Sequence, residues 1–202
     1  MFYAHGRAYK LRKTISYMVA VARTRAYTNA TIYYLHPDWF FYHLSELFAI
    51  ASSGTSSFTS ASQFDANREK SEEKDLEKDL AELQRLLRDR LSERLGNPEH
   101  CDPWSLALRL VAARNLGLFR LPSSSSSPSH SAPLLLETVT EARMGAGVIK
   151  DLERLRASQG RDGSFGAENP WIYRYRNGML IGNVGLVTAV AVRALKGLSS
   201  SS

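Results

Sequence analysis

The sequence predicts an all-α fold of about six helices. Apolar residues recur at spacings of three and four in one segment after another, which is the period of an amphipathic helix. Proline, glycine and capping residues separate these segments. The hydrophobic fraction of 44% and the charged fraction of 23% are typical of a globular protein. We therefore expect residues 1–202 to form a single α-helical domain, with flexible Ser-rich loops at residues 52–70 and 122–132.

The first two helices are predicted from apolar stripes. Residues 7–25 place four apolar side chains on one face, namely Leu11, Ile15, Met18 and Ala22. Residues 38–51 follow Pro37, which suits the start of a helix because its missing N–H costs nothing there. In this second helix, Ser45 and Glu46 are expected to face away from a packed stripe of Phe40, Leu44, Leu47, Phe48 and Ala51.

The third and fourth helices differ in how much of their surface is apolar. Acidic residues begin the third helix and arginines close it, as the helix dipole favours, and Gly96 stops it. Its leucines lose their heptad spacing at Arg90, so we expect one packed face rather than a coiled coil. The fourth helix has Asp102 as its N-cap and Pro103 at its first position. It is apolar on nearly every side, which predicts a buried helix.

The last two helices are predicted from about residue 133 to Gln159 and over residues 184–195. Residues 177–192 contain no charged side chain, and Gly178 and Gly182 have the spacing of packed membrane helices. Aromatic residues precede this run, as at a membrane interface. The run is shorter than the ~20 residues that a bilayer requires. A buried helix is therefore the favoured interpretation, and a membrane helix is the alternative.

Basic residues are concentrated at the N-terminus. The net charge is +6, and residues 1–37 contain six Lys or Arg but no acidic residue before Asp38. This pattern is typical of a mitochondrial transit peptide, but a basic face on an ordinary helix is the favoured interpretation. We expect a cytoplasmic protein, with the mitochondrion as the alternative. No nucleic-acid partner is expected, because one basic helix is too narrow for a phosphate-binding surface. Cys101 is the only cysteine, which excludes an intramolecular disulfide.

A short motif after the fifth helix carries a family resemblance. It consists of Leu155, Gln159, Asp162, Gly163, Phe165 and Gly166. It resembles the glutamine-aromatic repeat of the terpenoid cyclase and protein prenyltransferase superfamily, and residues 188–195 resemble the helix that follows such a repeat. Other stretches resemble uncharacterised fungal proteins of the same type, at residues 2–7, 25–27, 33–34, 39–42, 106–110, 171–175 and 181–183. The resemblance implies helical hairpins that form a partial α/α toroid, with about half the hairpins of a closed ring.

The residues of the motif have local physical roles. Gln159 is expected to hydrogen-bond backbone groups left open at a helix end. Asp162 and Gly163 suit a tight turn. Phe165 is expected to pack under the neighbouring hairpin. A simple helix end followed by a turn explains Gln159 to Gly163 equally well, but it leaves the later residues unexplained.

The acids of the superfamily have no counterpart in this sequence. The Asp-x-Asp-Asp acid of the cyclases is absent, and Phe165 stands where the repeat usually has Trp. The zinc ligands of a prenyltransferase are an Asp-x-Cys pair and a distant His, whereas His100, Cys101 and Asp102 are contiguous. No metal and no cofactor is therefore expected. Whether the chain is an enzyme stays open, and a non-catalytic role is favoured.

The sequence thus predicts a non-catalytic or incomplete toroid domain that contributes an apolar, aromatic-lined cavity. Its candidate lining residues are Tyr33, Tyr34, Trp39, Tyr173 and Tyr175, each of which has a place in the core as its alternative role. The cavity would take an isoprenoid-like or other apolar small molecule, or the surface would dock another domain. A partial ring leaves apolar surface uncovered, so a second toroid half or a homo-oligomer is expected, with a truncated C-terminal piece of a larger ring as the alternative.

Two other functions stay open. The acid-free N-terminus and the segment with Gly178 and Gly182 fit a structural accessory subunit of a mitochondrial membrane complex. The resemblance alternatively implies a terpenoid cyclase or transferase whose acidic residues lie outside this chain.

Overall fold

The computed structural model describes residues 11–29, 36–52, 66–99, 101–119, 135–166, 171–174 and 180–199. The helices are α1 (Arg12–Thr24), α2 (Asp38–Ser52), α3 (Ala66–Arg94), α4 (Pro103–Asn115), α5 (Leu135–Ala157) and α6 (Val184–Ser199). A short 3-10 helix, Ala26–Asn29, follows α1. The all-α class is therefore confirmed. Between α5 and α6, however, strands β1 (Trp171–Arg174) and β2 (Leu180–Gly182) form an antiparallel pair that the sequence did not predict.

The expectation of a loop throughout residues 52–70 was wrong at both ends of that range. Ser52 ends α2, and α3 already begins at Ala66 and runs for 29 residues. Residues 66–70 are helical because they are mostly strong helix formers, with Arg, Glu and Lys in succession. Residues 53–65 and the loop predicted at 122–132 lie outside the described residues.

The helices lie in two layers, and every helix except α5 packs most extensively on its second neighbour along the chain. In one layer α4 contacts both α2 and α6, and in the other α1 contacts α3. Ion pairs Arg12–Asp75 and Arg23–Glu82 show that α1 and α3 run in the same direction. Trp39 meets Trp104 near the starts of α2 and α4, and Glu46 meets Asn115 further along. Hence α2 and α4 are also parallel.

Helices α5 and α6 do not pack along each other as a hairpin in the part of the chain that the structure describes. Instead α6 packs on α4, while α5 contacts α4 and the turn after α3. A turn and the two strands separate α5 from α6 in the chain. Glycine permits the seating of α5, because a Cβ at Gly147 would lie 2.8 Å from the carbonyl oxygen of Leu95. The expectation of a close-packed final hairpin was therefore wrong.

The centre of the core is α4, as its apolar circumference predicted. Every residue from Trp104 to Ala113 is buried. Asp102 caps the helix by accepting a hydrogen bond from the Ser105 N–H at 3.0 Å, and Pro103 is its first residue. One face of α3 is buried through a stripe of leucines, as expected: Leu76, Leu83, Leu86, Leu87 and Leu91.

The stripe predicted on α2 is confirmed in part. Ser45 is fully buried, whereas Leu47 is 49% exposed. Leu44 is buried as expected, and Phe40 and Phe48 are partly buried against the core. Phe41, which the predicted stripe omitted, is fully buried. Spacing alone misplaced Leu47 because α2 is apolar on both sides.

The uncharged run at residues 177–192 is divided between two elements. Gly182 ends strand β2, and α6 begins at Val184, so the pair Gly178 and Gly182 does not lie on one helix. Gly178 itself lies outside the described residues. Among the described helices, none combines the length and the apolarity needed to cross a bilayer.

Candidate functional site

The glutamine-aromatic motif forms a compact turn between α5 and α6. The Gly160 N–H donates to the Ser164 carbonyl at 2.8 Å, and the Gly163 N–H donates to the Gly160 carbonyl at 2.9 Å. Asp162 Oδ1 accepts from the N–H and the hydroxyl of Ser164, which lowers the pKa of Asp162. Gly163 and Gly166 have positive φ angles of 83° and 73°, which only glycine adopts without strain.

The role expected of Gln159 was wrong in its detail. Its side-chain Nε2 donates to the carbonyl of Gly163 at 3.1 Å, so it closes the turn rather than capping the helix. Leu155 and Phe165 are fully buried. The Phe165 N–H donates to Thr188 Oγ1 on α6 at 2.9 Å. The motif therefore attaches the end of α5 to α6, and its role is structural.

Of the five candidate cavity residues, the structure describes the side chain of Trp39 alone. Tyr33, Tyr34 and Tyr175 lie outside the described residues, and Tyr173 lies on β1 opposite Ile181. Trp39 is half-buried and packs edge-on against Trp104, with ring centroids 5.0 Å apart. The ring of His43 stacks on the ring of Trp39, with their centroids 4.9 Å apart. Burial lowers the pKa of His43, and Glu46 partly opposes this shift.

The outward face of α2 continues from these two rings as an apolar surface, which we call the α2 face. It consists of Trp39, His43, Leu47 and Ile50, spaced four, four and three residues apart. Leu47 is 49% exposed and Ile50 is 61% exposed. Contiguous exposed apolar surface of this kind makes the α2 face a candidate binding surface.

A polar group borders the α2 face where α2, α4 and α6 meet. Arg193 of α6 donates to the Tyr42 hydroxyl at 3.0 Å and to Glu46 Oε1 at 2.8 Å. Asn115 of α4 donates to the same oxygen of Glu46 at 2.6 Å. Glu46, which follows His43 and precedes Leu47 on α2, is therefore already paired with Arg193.

Sequence reasoning missed a buried charge cluster, which we call the Arg109 cluster. It comprises Asp38, Arg94, Arg109, Asp151 and Arg154. The side chains of Asp38, Arg109 and Asp151 are all 0% exposed. Arg109 donates to Asp38 Oδ2 and to Asp151 Oδ2, each at 3.2 Å. An arginine in the middle of an otherwise apolar helix was the available signal.

The two carboxyl groups of the Arg109 cluster differ in pKa. Burial alone would raise the pKa of Asp38, but Arg109 and Arg94 outweigh it, and the pKa lies below its ordinary value. Burial raises the pKa of Asp151, against the opposing charge of Arg109. Neither carboxyl group is accessible to a substrate, because both are fully buried. The cluster therefore joins helices rather than transferring protons.

The described residues offer no other obvious site of chemistry. They contain no group of three or more His, Cys, Asp or Glu side chains that could hold a metal ion. A cavity of about 590 Å³ lies along α3, lined by Ala81, Gln84, Arg85, Arg88, Asp89, Ser92 and Leu118. Trp39, the one predicted lining residue whose side chain the structure describes, does not line it. A comparison of the chain with protein-family models, curated proteins and solved structures finds no match.

Proposed function

We propose that this chain is a non-catalytic domain of the α/α-toroid type, similar to terpenoid cyclases and protein prenyltransferases, that binds an apolar, isoprenoid-like molecule on the α2 face. Successive helical hairpins placed side by side put every second helix in the same layer and in the same direction. Parallel packing of α2 with α4, and of α1 with α3, agrees with that arrangement. The glutamine-aromatic turn connects the end of α5 to α6 through Phe165 and Thr188, but these two helices do not pack as a hairpin, so the parallel packing alone supports the arrangement.

The position of the binding surface follows from what is buried. Helix α4 is the middle helix of its layer, but it is buried from Trp104 to Ala113 and offers no free surface there. Helix α2 in the same layer is apolar on both sides and leaves Leu47 and Ile50 exposed. This exposed pair is the observation that carries the proposal. The proposed site is therefore the α2 face, at one end of the layer of α2, α4 and α6, and not the cavity predicted from the sequence.

The chemistry of the α2 face favours an apolar ligand. Its side chains are two rings and two branched aliphatic groups, and the neighbouring Glu46 is paired with Arg193. Leu47 and Ile50 are already partly buried, so covering the remaining surface with a ligand would contribute roughly 1–2 kcal/mol for each side chain. Neither buried carboxyl of the Arg109 cluster can protonate a ligand, which favours binding over catalysis.

The test is a ligand titration followed by tryptophan fluorescence and thermal shift, with prenyl alcohols, prenyl diphosphates and terpenoids. We expect saturable binding that weakens about tenfold in Leu47→Ser and in Ile50→Ser, the change expected from losing most of one buried side chain. Ile149→Ser is the matched control, because Ile149 is 54% exposed but lies on α5. No binding by any of these ligands, or equal loss in the control, contradicts the proposal.

Other assignments stay as alternatives with their own tests. A docking surface for a second toroid half or another copy would show as a complex in light scattering that Ile50→Ser dissolves. A catalytic role requires acids from another chain, and turnover of labelled prenyl diphosphate by the isolated chain would establish catalysis instead.

We infer a cytoplasmic location, with a mitochondrial membrane complex as the alternative. Three arginines of the basic N-terminal region, Arg12, Arg23 and Arg25, form ion pairs with α3, which gives their charge a role within the fold. Fractionation of cells would separate the two locations.

A further inference from the structure

Helix α1 has the composition of a helix that binds a membrane surface. Its buried residues Ile15, Val19 and Ala22 form an apolar stripe, and Leu11 and Met18 extend it. Arg12 and Arg23 lie along one flank of this stripe, and α1 contains no acidic residue. An apolar stripe with a basic flank is the pattern of helices that lie in the plane of a lipid–water interface.

In the structure α3 occupies both surfaces of α1. Its carboxylates meet the basic flank through Arg12–Asp75 at 2.8 Å and Arg23–Glu82 at 2.6 Å. Asp79 accepts a hydrogen bond from Ser16 between these two pairs. Leucines of α3 belong to the same core cluster as the apolar stripe. Helix α3 thus presents α1 with a row of negative charge beside apolar surface, as an anionic bilayer does.

The polar part of the attachment of α1 to α3 is suited to reversal, while the apolar stripe needs another apolar surface to cover it. The side chains in these pairs are between 25% and 60% exposed, so each contributes little and is weakened by salt. Among the elements that the structure describes, α1 packs extensively only on α3 and on the short 3-10 helix that follows α1. None of the buried ion pairs of the Arg109 cluster involves a residue of α1, so these pairs do not hold α1 in place.

We propose that α1 is a reversible membrane-binding helix, which α3 holds until an anionic lipid surface replaces it. A nucleic acid is the less suitable partner, because it would engage the arginines and leave the apolar stripe exposed. An anionic bilayer satisfies both surfaces at once.

The test is sedimentation of the full chain with vesicles of phosphatidylcholine, with and without phosphatidylserine. Asp75→Asn with Glu82→Gln should strengthen binding to the anionic vesicles alone, because it weakens the hold of α3. Glu77→Gln with Asp89→Asn is the matched control of equal charge, since neither residue is paired with α1. Arg12→Gln and Arg23→Gln, each added to the Asp75→Asn and Glu82→Gln variant, should weaken its binding to anionic vesicles roughly fivefold. Equal binding by both charge-matched variants would overturn the proposal.

A reversible disulfide crosslink tests whether α1 must separate from α3 before the protein binds a membrane. Ser16→Cys and Asp79→Cys join two side chains that are in hydrogen-bond contact, in a Cys101→Ser background. The oxidised protein should not bind anionic vesicles, and the reduced protein should, with circular dichroism checking that both are folded. Binding by the oxidised form, or binding of duplex nucleic acid but not of vesicles by the reduced form, contradicts the proposal.

Discussion

Arginine–carboxylate pairs position helices in two regions of this protein, but their surroundings differ completely. Around α4, Asp38, Arg109 and Asp151 are fully buried. Between α1 and α3, the paired side chains are 25–60% exposed. Water competes for the exposed pairs between α1 and α3 but does not reach the buried pairs around α4. Breaking a buried pair therefore costs more free energy of unfolding than breaking an exposed one. The buried pairs hold the fold together, and the exposed pairs set the direction and register of α1.

The Arg109 cluster connects segments that are far apart in the chain. Besides its two carboxylate partners, Arg109 donates to the backbone carbonyl of Arg94 at 3.1 Å and to that of Glu99 at 3.3 Å. One guanidinium therefore joins α2, the end of α3 and its following turn, and α5 to the central helix. The loss of this group should affect all of them.

The largest effect is expected from Arg109→Met. It leaves Asp38 and Asp151 buried without their shared partner, which should cost about 3–5 kcal/mol of unfolding free energy in urea titrations. Arg114→Met on the same helix is the control, because Arg114 is exposed, and should change stability by less than about 0.5 kcal/mol. Similar losses in both variants would show that Arg109 is not central to the fold.

A second effect concerns how closely α5 sits against the turn after α3. Gly147→Ala places a Cβ 2.8 Å from the Leu95 carbonyl oxygen, and the resulting shift of α5 should cost about 1–3 kcal/mol. Gly145→Ala, two residues earlier, meets nothing within 4 Å and should stabilise the helix by up to about 1 kcal/mol. Thermal unfolding of the two variants distinguishes a contact effect from a general effect of removing glycine.

The third expectation is a loss of stability in acid. The pKa of Asp38 is lower in the folded protein than its unfolded value of about 3.9. Its contribution is therefore complete above that pH and is lost as the pH falls toward the folded-state pKa. The pKa of Asp151 is raised in the folded protein. Its contribution to stability therefore decreases as the pH rises from about 3.9 through the folded-state pKa. Asp38→Asn should remove the acid-side loss in pH-dependent urea titrations, and an unchanged slope would contradict the assignment.

The smallest effect belongs to the exposed pairs. A double-mutant cycle of Arg23→Gln and Glu82→Gln should give a small coupling energy that decreases in high salt. The pKa of Arg23 is raised by its hydrogen bond to Glu82, which agrees with a formed pair. A large coupling energy that salt does not change would mean that this pair resembles the buried cluster.

Local features of the fold were predictable from the sequence. The burial of α4 follows from its apolar circumference, and its start follows from Asp102 and Pro103. The glutamine-aromatic turn was placed correctly because Asp162 and Gly163 act on their immediate neighbours. In each case the interacting groups lie a few residues apart.

Features that depend on distant residues were not predictable. Arg109 and its partners Asp38 and Asp151 are 71 and 42 residues apart in the chain, and no spacing rule connects them. Helix α6 packs on α4 and not on α5. The sequence could not predict this partner, because several helices offer an apolar surface to α6. For the candidate site, Trp39 was identified from the sequence, but Leu47 was assigned to the core because α2 has two apolar faces.

Native-state hydrogen exchange of α1 and α4 tests the contrast between the two regions most directly. We expect the amides of α4 to exchange only through global unfolding, and those of α1 to exchange through a smaller opening that salt makes easier. Equal protection of α1 and α4, unchanged by salt, would contradict the account, because the exposed pairs would then hold α1 as firmly as the buried pairs hold α4.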